Sequence, residues 1–196
     1  MEKEFSLIIF TENHVGVLNQ ITNVFTRRHI NIDSLTVSET EIKGISRFTI
    51  VVSIMEEMVI KVTKQIEKMV DVLVAFYTNN DEIVWQEIAL YKVPLSALSH
   101  REDIEQLLRT TNARILTVEV DYAVIEKTGY KEETQDLFLK LEPYGVLQFV
   151  RSGRIAVTKS PKELSHYLKD LEKANVHSHN IRSWKLNNED LDVLNL

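Results

Sequence analysis

An α+β fold is predicted: two tandem ferredoxin-like βαββαβ domains, at 1–80 and 81–160, followed by a C-terminal helical extension at 161–196. Three observations predict it. Strand-like runs rich in β-branched residues alternate with runs at helical period, in the order βαββαβ. The same order recurs more faintly after residue 81, as a repeat of architecture and not of residue identity. The chain has 196 residues, enough for two small domains with a core each.

The first strand is read at 5–10, from Phe5-Ser6-Leu7-Ile8-Ile9-Phe10, an apolar run bounded by polar residues. A helix follows at 16–28, where Val17, Leu18, Ile21, Val24 and Phe25 form one apolar stripe. Arg27, Arg28 and His29 close it, and positive charge suits the C-terminal end of a helix dipole. A strand is expected at 31–41, a hairpin turn at Gly44 and a strand at 45–54. Val59, Val62, Ile66 and Met69 give a second helix at 56–69, and 70–77 reads as the fourth strand. The polar run Thr78-Asn79-Asn80-Asp81-Glu82 reads as a linker.

The second domain repeats the order with a strand at 84–93 and a helix at 100–109. Strands at 114–120 and 122–127, a helix at 131–141 stopped before Pro143, and one strand at 146–157 complete it. Ser160, Pro161 and Glu163 then stand at the N-cap, N1 and N3 positions of a capping box, opening a helix whose apolar face is Leu164, Tyr167, Leu168 and Leu171. Residues 180–186 read as one further strand.

Composition narrows the function. The net charge of −6 disfavours a nucleic acid or an anionic membrane as partner. With no cysteine there is no disulfide, thiolate metal site or thiol nucleophile. The opening MEKEFSLIIF is too short in apolar length for a signal peptide or membrane span, so a cytoplasmic location is expected. No nucleophile elbow is present, and the 5 glycines never cluster into a phosphate-cradling loop, so an enzyme is not expected. Lys43-Gly44 begins like the third-strand motif of an RNA-binding sheet, but Ile45, Arg47 and Ile50 stand where that motif needs stacking aromatics. His177-Ser178-His179 puts two imidazoles on one side of an extended segment, yet a metal site needs three or four ligands, and no third stands nearby in sequence. His14 and His29 likewise read as surface residues, and no metal is expected.

One feature asks for a ligand. Gly16 stands where the first strand turns into the first helix. The first-turn N–H groups there carry partial positive charge and can receive a carboxylate. Asn13 offers an amide donor and a carbonyl acceptor, matching the two ends of a zwitterion. The alternative is that Gly16 only permits a tight turn and Asn13 only caps the helix.

These residues carry a resemblance. Glu12-Asn13-His14-Val15-Gly16-Val17-Leu18, then Phe25, Arg28 and Asn31-Ile32-Asp33-Ser34-Leu35-Thr36-Val37, resemble the ACT domain of the small regulatory subunits of acetohydroxyacid (acetolactate) synthase. Ser46-Arg47-Phe48-Thr49-Ile50-Val51 and the run from Gln65 to Val72 are similar to that family's third strand and second helix. In the second domain, Glu87-Ile88-Ala89-Leu90-Tyr91-Lys92-Val93 and Val150-Arg151-Ser152-Gly153 resemble its first and last strands more weakly, and Gln86 replaces the usual Arg.

The resemblance implies an N-terminal ACT domain that binds an effector and a C-terminal ACT-like domain. It implies a subunit with no chemistry of its own, partnered with a catalytic large subunit. Thiamine diphosphate, Mg²⁺ and FAD belong to that subunit, which condenses pyruvate into acetolactate, and none belongs to this chain. The small subunit would raise its activity and confer feedback inhibition by valine or another branched-chain amino acid. It further implies a homodimer through the ACT domains, with Asn13, His14, Val15, Gly16, Val17 and Leu18 of one protomer holding the effector and Asn31 and Ile32 of the other closing the site. The alternative is an amino-acid-binding ACT sensor that regulates a different enzyme.

Overall fold

The computed structural model describes residues 1–99 and 101–160. The helix expected after Pro161, the strand expected at 180–186, and His177 with His179 lie outside these residues. The chain divides into two compact units.

The first unit runs β1 (Lys3–Glu12), α1 (Val17–Thr26), β2 (Ser34–Glu39), β3 (Ile45–Ile54), α2 (Glu56–Ile66), β4 (Val72–Thr78). Its sheet has the order β2-β3-β1-β4, with β1 antiparallel to both β3 and β4. As a central strand, β1 is buried without interruption from Phe5 to Thr11, as its unbroken apolar run requires. The stripe Val17, Ile21, Val24 and Phe25 of α1 is buried, as are Val59, Val62 and Ile66 of α2. Spacings of three and four residues place each set on one helix face.

Several elements are shorter than expected, and two of them for evident local reasons. The first helix stops at Thr26: His29 takes a left-handed φ of 54°, and the Ile30 N–H returns to the Phe25 carbonyl at 3.1 Å. Asn31 and Ile32 do not belong to β2. The Asp33 carboxylate accepts from Asn31 Nδ2 at 2.9 Å and from Ser53 Oγ at 2.8 Å, a side-chain knot just ahead of β2, while the Asp33 N–H donates to the Val51 carbonyl at 2.9 Å. The expected linker is ordered: Asn80–Glu82 forms a 3₁₀ turn, held where the Glu82 carboxylate accepts from Thr78 Oγ1 and the Asn79 N–H.

The second unit runs β5 (Ile83–Pro94), α3 (Arg101–Thr111), β6 (Arg114–Val118), β7 (Tyr122–Gly129), α4 (Lys131–Leu141), β8 (Gln148–Arg151), β9 (Ile155–Thr158). Its sheet has the order β6-β7-β5-β8, and β9 also pairs with β5. The single strand expected at 146–157 is therefore two. The Ser152 N–H donates to the Ile88 carbonyl at 2.8 Å while Ser152 Oγ accepts from the Ile88 N–H at 2.9 Å, so the serine hydroxyl takes the place of a ladder carbonyl and β8 ends. Tyr91, Val93, Ile104, Leu108, Ile125, Leu137 and Leu141 form the core. Among the described residues, no helix is long and apolar enough to cross a membrane.

Candidate functional site

Residues 13–16 connect β1 to α1, and their backbone is anchored from both sides. The Glu12 N–H donates to the Asp71 carbonyl at 3.0 Å, and the Asn13 N–H donates to the Gly44 carbonyl at 2.8 Å. Gly16 is the residue before the helix and has φ 99°, a left-handed conformation that an L side chain adopts only under strain. A Cβ built on it would meet nothing within 4 Å. Both questions raised by the sequence thus have an answer: the turn requires the glycine, and the space beside it is open.

Asn13 does not cap the helix. No side chain hydrogen-bonds to the N-terminus of α1, and its first turn carries no acidic residue. The first intrahelical bond runs from the Gln20 N–H to the Gly16 carbonyl at 3.0 Å. The N–H groups of Val17, Leu18 and Asn19 precede it and have no acceptor within the helix. α2 and α4, in contrast, each open with two glutamates, and in α4 the Glu133 carboxylate accepts from the Tyr130 N–H at 2.7 Å. The α1 terminus is the one of these three left as a positive helix end without a built-in anion.

The apolar residues divide. Val17 is 3% exposed and belongs to the core of its own unit, so only its backbone faces the turn. Val15 is 100% exposed and Leu18 47%, and these two supply apolar surface at the turn. Asn31 and Ile32 lie at the opposite end of α1, near the start of β2. Ten helical residues span about 15 Å, so a single chain does not bring them to residues 13–16.

His14 is locked on both ring nitrogens. Nδ1 donates to the Val15 carbonyl at 3.1 Å, and Nε2 lies 3.0 Å from Asp71 Oδ1. The Val15 carbonyl first, and then Asp71, hold the imidazole above its ordinary value of 6.5. Gln20 Nε2 donates to the other Asp71 oxygen at 3.3 Å.

Two family models match this chain: the acetohydroxyacid synthase small-subunit-like ACT domain over residues 7–74, and the small subunit of acetolactate synthase over residues 86–160. The acetolactate synthase small subunit of Bacillus subtilis (strain 168) is 40% identical over 152 residues, covering 77% of this chain and 88% of that protein. The chain belongs to the acetolactate synthase small-subunit family. The small subunit of Mycolicibacterium smegmatis is 35% identical over 157 residues, covering 80% of this chain and 92% of that protein. The crystal structure of the acetolactate synthase small subunit from Thermotoga maritima superimposes with a TM-score of 0.74 at 28% identity, over 82% of this chain and 99% of that one.

Within this small-subunit fold, sequence reasoning missed Glu12, Asp71 and Gln20 at the turn. Asp71 precedes β4, and only the pairing of β4 with β1 brings it to His14. No spacing rule links the two in sequence. In the second unit the family-like residues Glu87 and Arg151 turn out to be structural. The buried Glu87 carboxylate accepts from Thr134 Oγ1 at 2.8 Å and pairs with Arg151 Nε at 3.3 Å, while Tyr91 donates its hydroxyl to the Thr134 carbonyl at 2.6 Å. This network joins β5, β8 and α4, and burial keeps the Tyr91 phenol well above its ordinary range.

Proposed function

We propose that this chain is the regulatory subunit of an acetolactate synthase: it activates a thiamine-dependent catalytic subunit and confers feedback inhibition by valine or another branched-chain amino acid. Family membership supports the partner. The observation that carries the effector site is the open, uncapped N-terminus of α1 at Gly16. A zwitterionic amino acid needs N–H donors for its carboxylate, an amide oxygen for its ammonium and apolar surface for its side chain. The first-turn N–H groups, Asn13, and Leu18 with Val15 meet these needs in that order.

The same geometry supports a homodimer. Asn31 and Ile32 reach an effector at residues 13–16 only from a second copy. β2 is one of the two edge strands of its sheet, with Val37, Ser38 and Glu39 exposed and suited to edge-to-edge pairing. A two-fold pairing gives two equal sites. Thiamine diphosphate, Mg²⁺ and FAD would reside in the catalytic subunit. The hole separates valine from leucine by only about 1–3 kcal/mol, so the identity of the effector is a matter for titration.

The test is acetolactate formation by the catalytic subunit of the same organism, with and without this chain, across a titration of valine, leucine and isoleucine. Activation by the chain and inhibition by one of the three are expected. Gly16→Asp places an anion where the carboxylate docks. It should raise the half-inhibitory concentration by about 5–150-fold, the usual span of allosteric coupling. Inhibition unchanged in Gly16→Asp would remove the site. Amino-acid binding with no effect on acetolactate formation would point to a sensor acting on a different enzyme.

A further inference from the structure

Glu12, His14 and Asp71 each offer one ligand atom, and the three atoms lie within 4.8 Å of one another, the only such group among the described residues. Sequence gives no sign of it, because the His14–Asp71 contact is made by tertiary pairing. Glu12 is the last residue of β1 and His14 lies two residues beyond it, close enough for their ligand atoms to meet. The Glu12 N–H to Asp71 carbonyl bond fixes the two ligand-bearing backbones against each other.

We propose that Glu12, His14 and Asp71 bind a divalent transition-metal ion, with water completing the shell. Three features support this beyond mere proximity. First, the distance fits. Arms of about 2.0–2.2 Å in a tetrahedral shell put neighbouring ligand atoms about 3.3 Å apart, and His14 Nε2 to Asp71 Oδ1 is 3.0 Å. Glu12 reaches the same point by rotating an exposed side chain.

Second, both close ligands already have the outer partners that metal ligands require. His14 Nδ1 donates to a backbone carbonyl, which leaves the Nε2 lone pair aimed at the carboxylates. Gln20 Nε2 occupies Asp71 Oδ2, which leaves Oδ1 for the ion. Third, the charge fits. Nε2 of the imidazole and two carboxylates converge on one point, and a divalent ion that displaces the Nε2 proton cancels the two carboxylate charges. One imidazole with two carboxylates suits Zn²⁺, Co²⁺ or Mn²⁺ better than Ca²⁺ or Mg²⁺, which take oxygen ligands. The ion would tie β1 to the start of β4 and stiffen residues 13–16 next to Gly16.

The site stands independently of the amino-acid reading, and its test contains no amino acid. The full chain carrying His177→Ala and His179→Ala, which removes the other histidine pair, is washed with EDTA and titrated with Co²⁺. Visible absorption and equilibrium dialysis report binding. One Co²⁺ per chain is expected. His14→Ala and Asp71→Asn should abolish it, and Gln20→Ala should weaken it about 10–100-fold. Circular dichroism melts establish that each variant is folded, and the outer-partner variant keeps the test valid if one ligand variant is not. Binding unchanged by His14→Ala, or no bound Co²⁺ up to millimolar concentration, would overturn the proposal.

Discussion

Both units pass from a central strand into a helix, and they do so differently. In the first, four exposed residues, 13–16, span from β1 to α1, with a left-handed glycine at the end. In the second, Pro94 ends β5 and the 3₁₀ turn Leu95–Ser99 follows, with Ala97 only 2% exposed in the core. The Leu95 N–H is taken by the Asp121 carbonyl at 3.0 Å. One turn is folded inward and spends its groups on its own unit. The other leaves a helix end and two apolar side chains facing outward. Equal element order therefore does not mean equal surface: the connection, and not the sheet, decides which backbone groups stay open.

This contrast can be broken from either side. The largest effect belongs to the inward turn. Ala97→Asp buries an unpaired carboxylate and should destabilise the second unit by about 3–5 kcal/mol, read by urea unfolding. Val15→Asp at the outward turn should stay within about 0.5 kcal/mol. Similar losses for the two would show that residues 13–16 are packed after all.

An intermediate effect is expected at Gly16. Its φ of 99° strains any L residue, so Gly16→Ala should destabilise by about 1–2 kcal/mol although a Cβ meets no neighbour. No loss in the same unfolding assay would mean that the turn relaxes freely, and the glycine would then matter only for ligand access.

The smallest effect is electrostatic. His14 is held above its ordinary value by the Val15 carbonyl and then by Asp71, so the folded chain binds its proton more tightly than the unfolded one. The stabilisation is fully present below the unfolded value of 6.5 and is lost as pH rises through the folded value. In a chelator-treated sample, melting temperature should fall slightly from pH 6 to pH 8, and His14→Gln should remove that slope. An equal slope in the variant would assign it to other groups.

Much of this was legible in the sequence wherever a pattern is local. Residues 45–54 and 131–141 have the bounds the sequence predicted, because an apolar strand run and a helix period between clear stop signals leave little choice. The α1 turn was legible too, since a glycine between a strand and an apolar stripe has few uses. What failed was decided by side chains reaching out of register. Asp33 drew Asn31 and Ser53 into a knot just ahead of β2. Ser152 took a ladder position and split the last strand of the second unit.

The sequence by itself determined the two βαββαβ units and the glycine turn between the first strand and the first helix. Both rest on local periodicity and on residues next to each other in the chain. Only the tertiary structure decided that Asn31 and Ile32 sit a helix length away from that turn, that Val17 belongs to the core, and that Asp71 meets His14 and Glu12. Those facts depend on which strands pair, and strand pairing is set by burial summed over the whole sheet, which no short stretch of residues encodes.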